Sequence, residues 1–192
     1  GWNTKSIKTY MIMENVNLNE LRNRAYKTAC EHGFHDTELS NEHLICLVIS
    51  ELMEAVEADR RGKQPNVMQF ERGISYPMND FKKVYDYCIK GTVAEELSDA
   101  VIRLLDLAGL RNLNLNRFAL VNVVSKKKTF TENIYAIVKD IMNYKYSLEE
   151  QVNYAITQVF VLADMLGIEL FWYIEQKMRY NELRENKHGK RY

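Results

Sequence analysis

Two pairs of acids stand three residues apart in this 192-residue chain, Glu51 with Glu54 and Glu96 with Asp99. On an α-helix that spacing puts both carboxylates of a pair on one face. The first pair belongs to the series Leu44, Leu47, Glu51, Glu54, Ala58, a stripe that is apolar above, small below and acidic between. Exposed, two such charges repel by about a few tenths of a kcal/mol. Buried together they cost more unless a cation offsets them. A divalent metal is one such cation, and Mg²⁺ in particular binds through carboxylates plus substrate phosphates. The second pair belongs to a polar series, Thr92, Glu96, Asp99, Arg103, Asp106, Leu110, beside an apolar seam of Leu97, Val101, Leu104 and Ala108. Taken alone, neither pair is distinctive. The pattern E-x-x-[E/D] occurs four times in the chain, and on a Glu-rich helix it is ordinarily a solvated face. Asp99 with Arg103 reads as an i,i+4 ion pair. Packed side by side, the two helices would bring all four carboxylates to one or more metal ions.

A third group lies near the C-terminus. Lys177, Asn181, Arg184 and His188 follow a 4-3-4 spacing and share a face if the helix persists. From Lys177 to Arg191 there are six Lys or Arg against two Glu, whereas Glu51 to Asp59 carries four acids and no base. A basic helix end complements the helix dipole. Beside a carboxylate–metal cluster it also supplies the charge that holds a polyphosphate.

These groups need elements to position them. The chain has only 2 Pro and 8 Gly, so its elements should be long and uninterrupted. Asn17 can cap a helix running to about residue 32, with Gly33 as its stop, and Ser40 one over 41–61, ended by Gly62. The stretch 62–80 holds both prolines and reads as an irregular connector. A short helix is expected over 81–90. Thr92-x-x-Glu95, Thr129-x-x-Glu132 and Ser147-x-x-Glu150 read as capping boxes, the first opening a helix to about 107. The last helix is expected over 168–186. Residues 111–117 read as a turn, and Lys126 to Lys128 as a solvated corner. No segment alternates as a strand does. The expectation is one all-α domain over 1–192, a helical bundle of six to eight helices.

Lys plus Arg and Asp plus Glu are 26 each, so the formal net charge is zero. That excludes a strongly basic nucleic-acid binder, while 46% hydrophobic residues argue against wholesale disorder. Cys30, Cys46 and Cys88 form no C-x-x-C, which points to a reducing cytoplasm rather than a disulfide framework. No apolar run reaches the ~18 residues of a membrane span, and no signal-type apolar segment opens the chain.

Three stretches together resemble one family. Ser50-Glu51-Leu-Met-Glu54-Ala-Val-Glu57-Ala is followed by Glu95-Glu96-Leu-Ser-Asp99-Ala-Val-Ile-Arg103-Leu-Leu-Asp106-Leu-Ala-Gly109. The pair resembles the E-x-x-E and E-x-x-D signature of the MazG-like, all-α nucleoside triphosphate pyrophosphohydrolases. The flanks agree: Ala29-Cys30-Glu31-His32-Gly33-Phe34-His35-Asp36 is similar to the approach to the first motif, and Glu175-Gln176-Lys177 to Arg184 and Lys187 to Tyr192 to the basic C-terminal segment. The gap between Glu54 and Glu96 is longer than in compact members, and 112–166 matches nothing in the family pattern. The resemblance implies a bundle of that family's type with extra helices. It implies cleavage of a (d)NTP between the α and β phosphorus atoms, giving a monophosphate and pyrophosphate. Glu51, Glu54, Glu96 and Asp99 are then catalytic residues and ligands of Mg²⁺, with Mn²⁺ as a substitute, one of them alternatively orienting the water. Lys177, Arg184, Lys187 and Lys190 neutralise phosphates, and Asn181 bonds a phosphate or the sugar. Phe34 or His35 stacks on a base or else packs in a helix corner. Arg103 and Asp106 support the acids or form a surface pair. The implied partners are the nucleoside triphosphate and a second copy in a homodimer or homotetramer, with no nucleic acid polymer and no membrane. Relatives specific for phosphoribosyl-ATP, dUTP or dCTP share the same metal logic. In a non-enzymatic helical interaction protein the four acids would have no metal role.

Overall fold

Short polar side chains start almost every helix of the computed structural model, which describes residues 16–115 and 127–192. The Asn17 side chain accepts the Glu20 N–H and opens α1, Leu18–Glu31. Ser40 does the same for His43 at the head of α2, Asn41–Arg61, which Gly62 closes in the left-handed conformation. Next come α3, Val67–Ser75, and α4, Phe81–Cys88. Thr92 caps α5, Val93–Leu110, and Thr129 caps α6, Phe130–Met142. Ser147 caps α7, Leu148–Met165, and α8 spans Leu170–Glu182, followed by a 3₁₀ turn over Asn186–Gly189. The described residues are all-α and contain no strand. Among them, no single helix is long and apolar enough to cross a membrane.

The central element is α5, which packs against α2, α1, α8 and α7. Its seam residues Leu97, Val101, Leu104 and Ala108 are all buried, as are Val48, Leu52 and Ala55 of α2 facing them in the same core. Burial of this kind holds a helix in place far more firmly than propensity does. The approach of α1 to α5 is unusually close: a Cβ at Gly109 would lie 2.4 Å from the Tyr26 Cβ. A smaller aromatic core joins α3, α4 and α8. Phe70 is fully buried there, edge-on to Phe81, Tyr85 and Trp172, and Tyr85 stacks on Tyr180 with ring centroids 4.4 Å apart.

Several expectations need correction. The 62–80 stretch is not all irregular, because Asn66 caps α3 and Phe70 anchors it. Gly73 lies inside this helix, where its missing side chain leaves room for Val84 of α4. The helix after Thr92 continues past 107 to Leu110. The expected last helix begins at Leu170 and stops at Glu182, where Leu183 turns the chain, so the basic tail leaves the helix axis. Only Thr129 and Glu132 complete a reciprocal capping box. At Thr92 the Glu95 carboxylate is drawn to other partners, described below. The 81–90 helix ends at Cys88. Residues 116, 117 and 126 lie outside the described residues, and Lys127 and Lys128 are exposed.

Candidate metal and polyphosphate site

Glu51 of α2 and Glu96 and Asp99 of α5 each place one carboxylate oxygen within 4.8 Å of the others. The i,i+3 spacing on α5 and the side-by-side packing of α2 and α5 produce this convergence. Glu51 and Glu96 are buried, at 4% and 9% exposure. Glu54 is exposed and lines the same cavity outside the triad. The cavity has a volume of about 370 Å³ and is bounded by α1, α2, α5, α8 and the C-terminal segment.

The acids are crowded and mostly dry. Burial pushes the Glu96 carboxyl up to about 8, reinforced by Asp99, Glu95 and Glu54 and opposed by Lys177. Glu51 is raised as well, by burial first and then by Asp99, with Arg103 working against both. Arg103 Nε donates to Glu51 Oε1 at 2.5 Å, so the expected Asp99–Arg103 pair gives way to one between helices. Asp99 instead takes Lys177, Nζ to Oδ2 at 2.9 Å. Lys177 is buried and also donates to Glu95. Although burial lowers its basicity, Asp99 and Glu95 hold its pKa above the ordinary value. Among the described residues, Arg103 and Lys177 are the cations that pair directly with these acids, through Glu51, Glu95 and Asp99.

The other side of the cavity differs in character. Asn181, Arg184, His188, Lys190 and Phe34 all line it. The Asn181 side chain is buried and, among the described residues, its Oδ1 has no hydrogen-bond partner. His188 packs edge-on against Phe34, with centroids 4.9 Å apart. Burial, then Arg184, His32, Lys177 and Lys190, lower the His188 pKa to about 3, so the ring is neutral. Lys187 is the one expected phosphate residue that does not line the cavity. Its backbone N–H donates to the His32 carbonyl at 2.7 Å, and it adopts a left-handed φ of 48°.

Two residues of the cavity wall were poorly signalled by spacing. His35 Nε2 bonds Asp106 Oδ1 at 2.6 Å, fixing Asp106 as the partner of a ring from the α1–α2 turn. Glu95 reads in the sequence as a capping residue only. Its position next to Glu96 was the available signal.

The donor set suits a hard cation. Three carboxylates within one ion's reach match Mg²⁺ or Mn²⁺, which take oxygen ligands and keep sites open for water and phosphate. Glu51 and Asp99 each commit one oxygen to a basic side chain and keep a second one. Compared with family models, curated proteins and solved structures, the chain matches none of them. The resemblance to MazG-like proteins accordingly rests on the motif residues alone.

Proposed function

We propose that the protein is a divalent-metal-dependent nucleoside triphosphate pyrophosphohydrolase that converts a (d)NTP to the monophosphate and pyrophosphate. The observation that carries the reading is the convergence of Glu51, Glu96 and Asp99 at one side of a cavity whose other side is basic. These three residues would hold Mg²⁺ or Mn²⁺, with Glu54 close by to receive a second ion or to orient a water. A bound ion of this kind polarises phosphoryl oxygens and lowers the pKa of a coordinated water.

The chain's own residues do the rest. Arg184 and Lys190 draw in and neutralise the polyphosphate. The orphaned Asn181 Oδ1 accepts a hydrogen bond from a sugar hydroxyl, which recovers the cost of its dry burial. Phe34 and the neutral His188 ring offer an aromatic corner to the base. Water adds to the α phosphorus, the bond to the bridging oxygen breaks, and pyrophosphate leaves. All three cysteines are free, which supports a reducing cytoplasm as the place of action.

A panel of (d)NTPs scored by product tests this. With Mg²⁺, at least one nucleotide should yield pyrophosphate rather than orthophosphate. Glu54→Gln and Asp99→Asn should each lower the rate by about 100-fold or more while leaving the circular dichroism spectrum unchanged. Absence of turnover across the whole panel, or full activity in Glu54→Gln, would overturn the reading.

A further inference from the structure

Glu95 is 2% exposed, adjoins the proposed metal ligand Glu96, and uses both ends of its carboxylate. Oε2 accepts the Gly91 N–H at 2.5 Å, and Oε1 accepts Lys177 Nζ at 2.5 Å. A glutamate three residues into a helix usually turns back to the N–H of the capping residue itself. Here it reaches one residue further, to Gly91, which holds φ at +72°. Lys177 completes the arrangement by donating to Asp99 Oδ2 at 2.9 Å, with the Tyr180 and Tyr85 rings 5.2 and 5.8 Å from its Nζ. One buried cation therefore faces two carboxylates, and only Asp99 belongs to the triad.

We infer that Glu95 is the resident counter-ion of Lys177 and, through it, a positioning residue for Asp99. The inference rests on the metal-site reading above and deepens it. A buried ammonium needs an anion. With Asp99 as its only partner, Lys177 would compete with a divalent ion for that carboxylate. Glu95 balances the ammonium independently, and the Gly91 N–H prevents Glu95 from following Lys177 if it moves. Lys177 then holds one Asp99 oxygen as a directional hydrogen-bond donor and leaves the other oxygen for the ion. The role needs both the charge of Glu95 and the length of its side chain.

That requirement for length separates the inference from a simple field effect. Mn²⁺ affinity of the metal-free 192-residue chain, without nucleotide, is read by electron paramagnetic resonance for the wild type, Glu96→Gln, Glu95→Gln and Glu95→Asp. Thermal melts establish that each variant is folded. The expected result is Mn²⁺ binding in the wild type that is lost in Glu96→Gln. Both Glu95 variants should weaken binding by about 10-fold, the scale seen when a residue supporting a metal ligand is altered. Glu95→Asp keeps the charge, so a general negative field predicts no change there. Wild-type affinity in Glu95→Asp, or in Glu95→Gln, overturns the inference while leaving the metal site intact. If the wild type binds no Mn²⁺, or Glu96→Gln binds as the wild type does, the metal-site reading falls and this inference with it. Should Glu95→Gln fail to fold, Glu95→Asp alone decides by the same criterion.

Discussion

The Glu96 carboxyl illustrates what a single residue contributes when its surroundings are dry. Its pKa of about 8 compares with an ordinary 4.5, and burial also raises Glu51 and Asp106. Between those two values the Glu96 carboxyl is more protonated in the folded chain than in the unfolded one, while His188, held down to about 3 from an ordinary 6.5, acts in the opposite sense below 6.5. The fall of stability with rising pH that the acids cause is therefore unopposed by His188 between pH 6.5 and 8. In metal-free protein, the melting temperature measured by differential scanning fluorimetry should decline from pH 6.5 to pH 8, and Glu96→Gln should flatten the decline. A melting temperature that rises over this range would contradict the burial of the acids. Mn²⁺ binding should tighten over the same interval, because the ion displaces the proton. At this scale the sequence was informative where spacing reports a helix face, as for Glu51, Glu96 and Asp99, whereas Glu54, expected with them, is exposed and lies outside the triad. It was silent where the partner lies on another helix. Nothing local distinguishes a Lys177 committed to Glu95 and Asp99 from one free to meet phosphate, and nothing local assigns Arg103 to Glu51 rather than to Asp99.

Among the elements, α3 was the one hidden from sequence reading. It is nine residues long, begins just after Pro65 and contains Gly73, so breakers outnumber the signs of a helix. Its only buried residue is Phe70, and the contacts that make it worthwhile come from Phe81, Tyr85 and Trp172, on two other helices. Phe70→Ala should cost about 3–5 kcal/mol in urea unfolding, the range for losing a buried aromatic ring. The loss should reach the site as well, since Tyr85 lies under Lys177. Caps were more legible, because each is a local interaction. Thr129 and Glu132 form the full reciprocal box, and Thr129→Ala should cost about 1 kcal/mol. A loss below a few tenths would show that α6 depends on its packing alone. The end of α8 was misplaced for a related reason. The 4-3-4 spacing continues to His188, yet Lys187 and His188 sit at φ 48° and 51°, held there by contacts to His32 and Phe34 that no periodicity encodes.

For the molecule as a whole, the zero net charge conceals two opposed groups. The acids of α2 and α5 occupy one side of the cavity and the basic C-terminal segment the other. We propose that the protein works as a homodimer or homotetramer. Light scattering coupled to size exclusion should then give about two or four times 22.6 kDa, and a single species at 22.6 kDa would exclude it. The centre of this arrangement is the α1–α5 contact, where Gly109 leaves no space against Tyr26. Replacing a helical glycine by alanine normally stabilises by up to about 1 kcal/mol. Here the added methyl would meet the Tyr26 Cβ at 2.4 Å, so Gly109→Ala should instead destabilise by about 1–3 kcal/mol in urea unfolding. The same contact lies one turn from the His35–Asp106 bond, and Tyr26 also packs against His35, with ring centroids 5.3 Å apart. The spacing of α1 and α5, set at Tyr26 and Gly109, thus positions the wall that carries His35 and Asp106. Selection for a bulkier or smaller ligand would find its variants at positions 26 and 109, behind the wall, sooner than among the carboxylates in front of it.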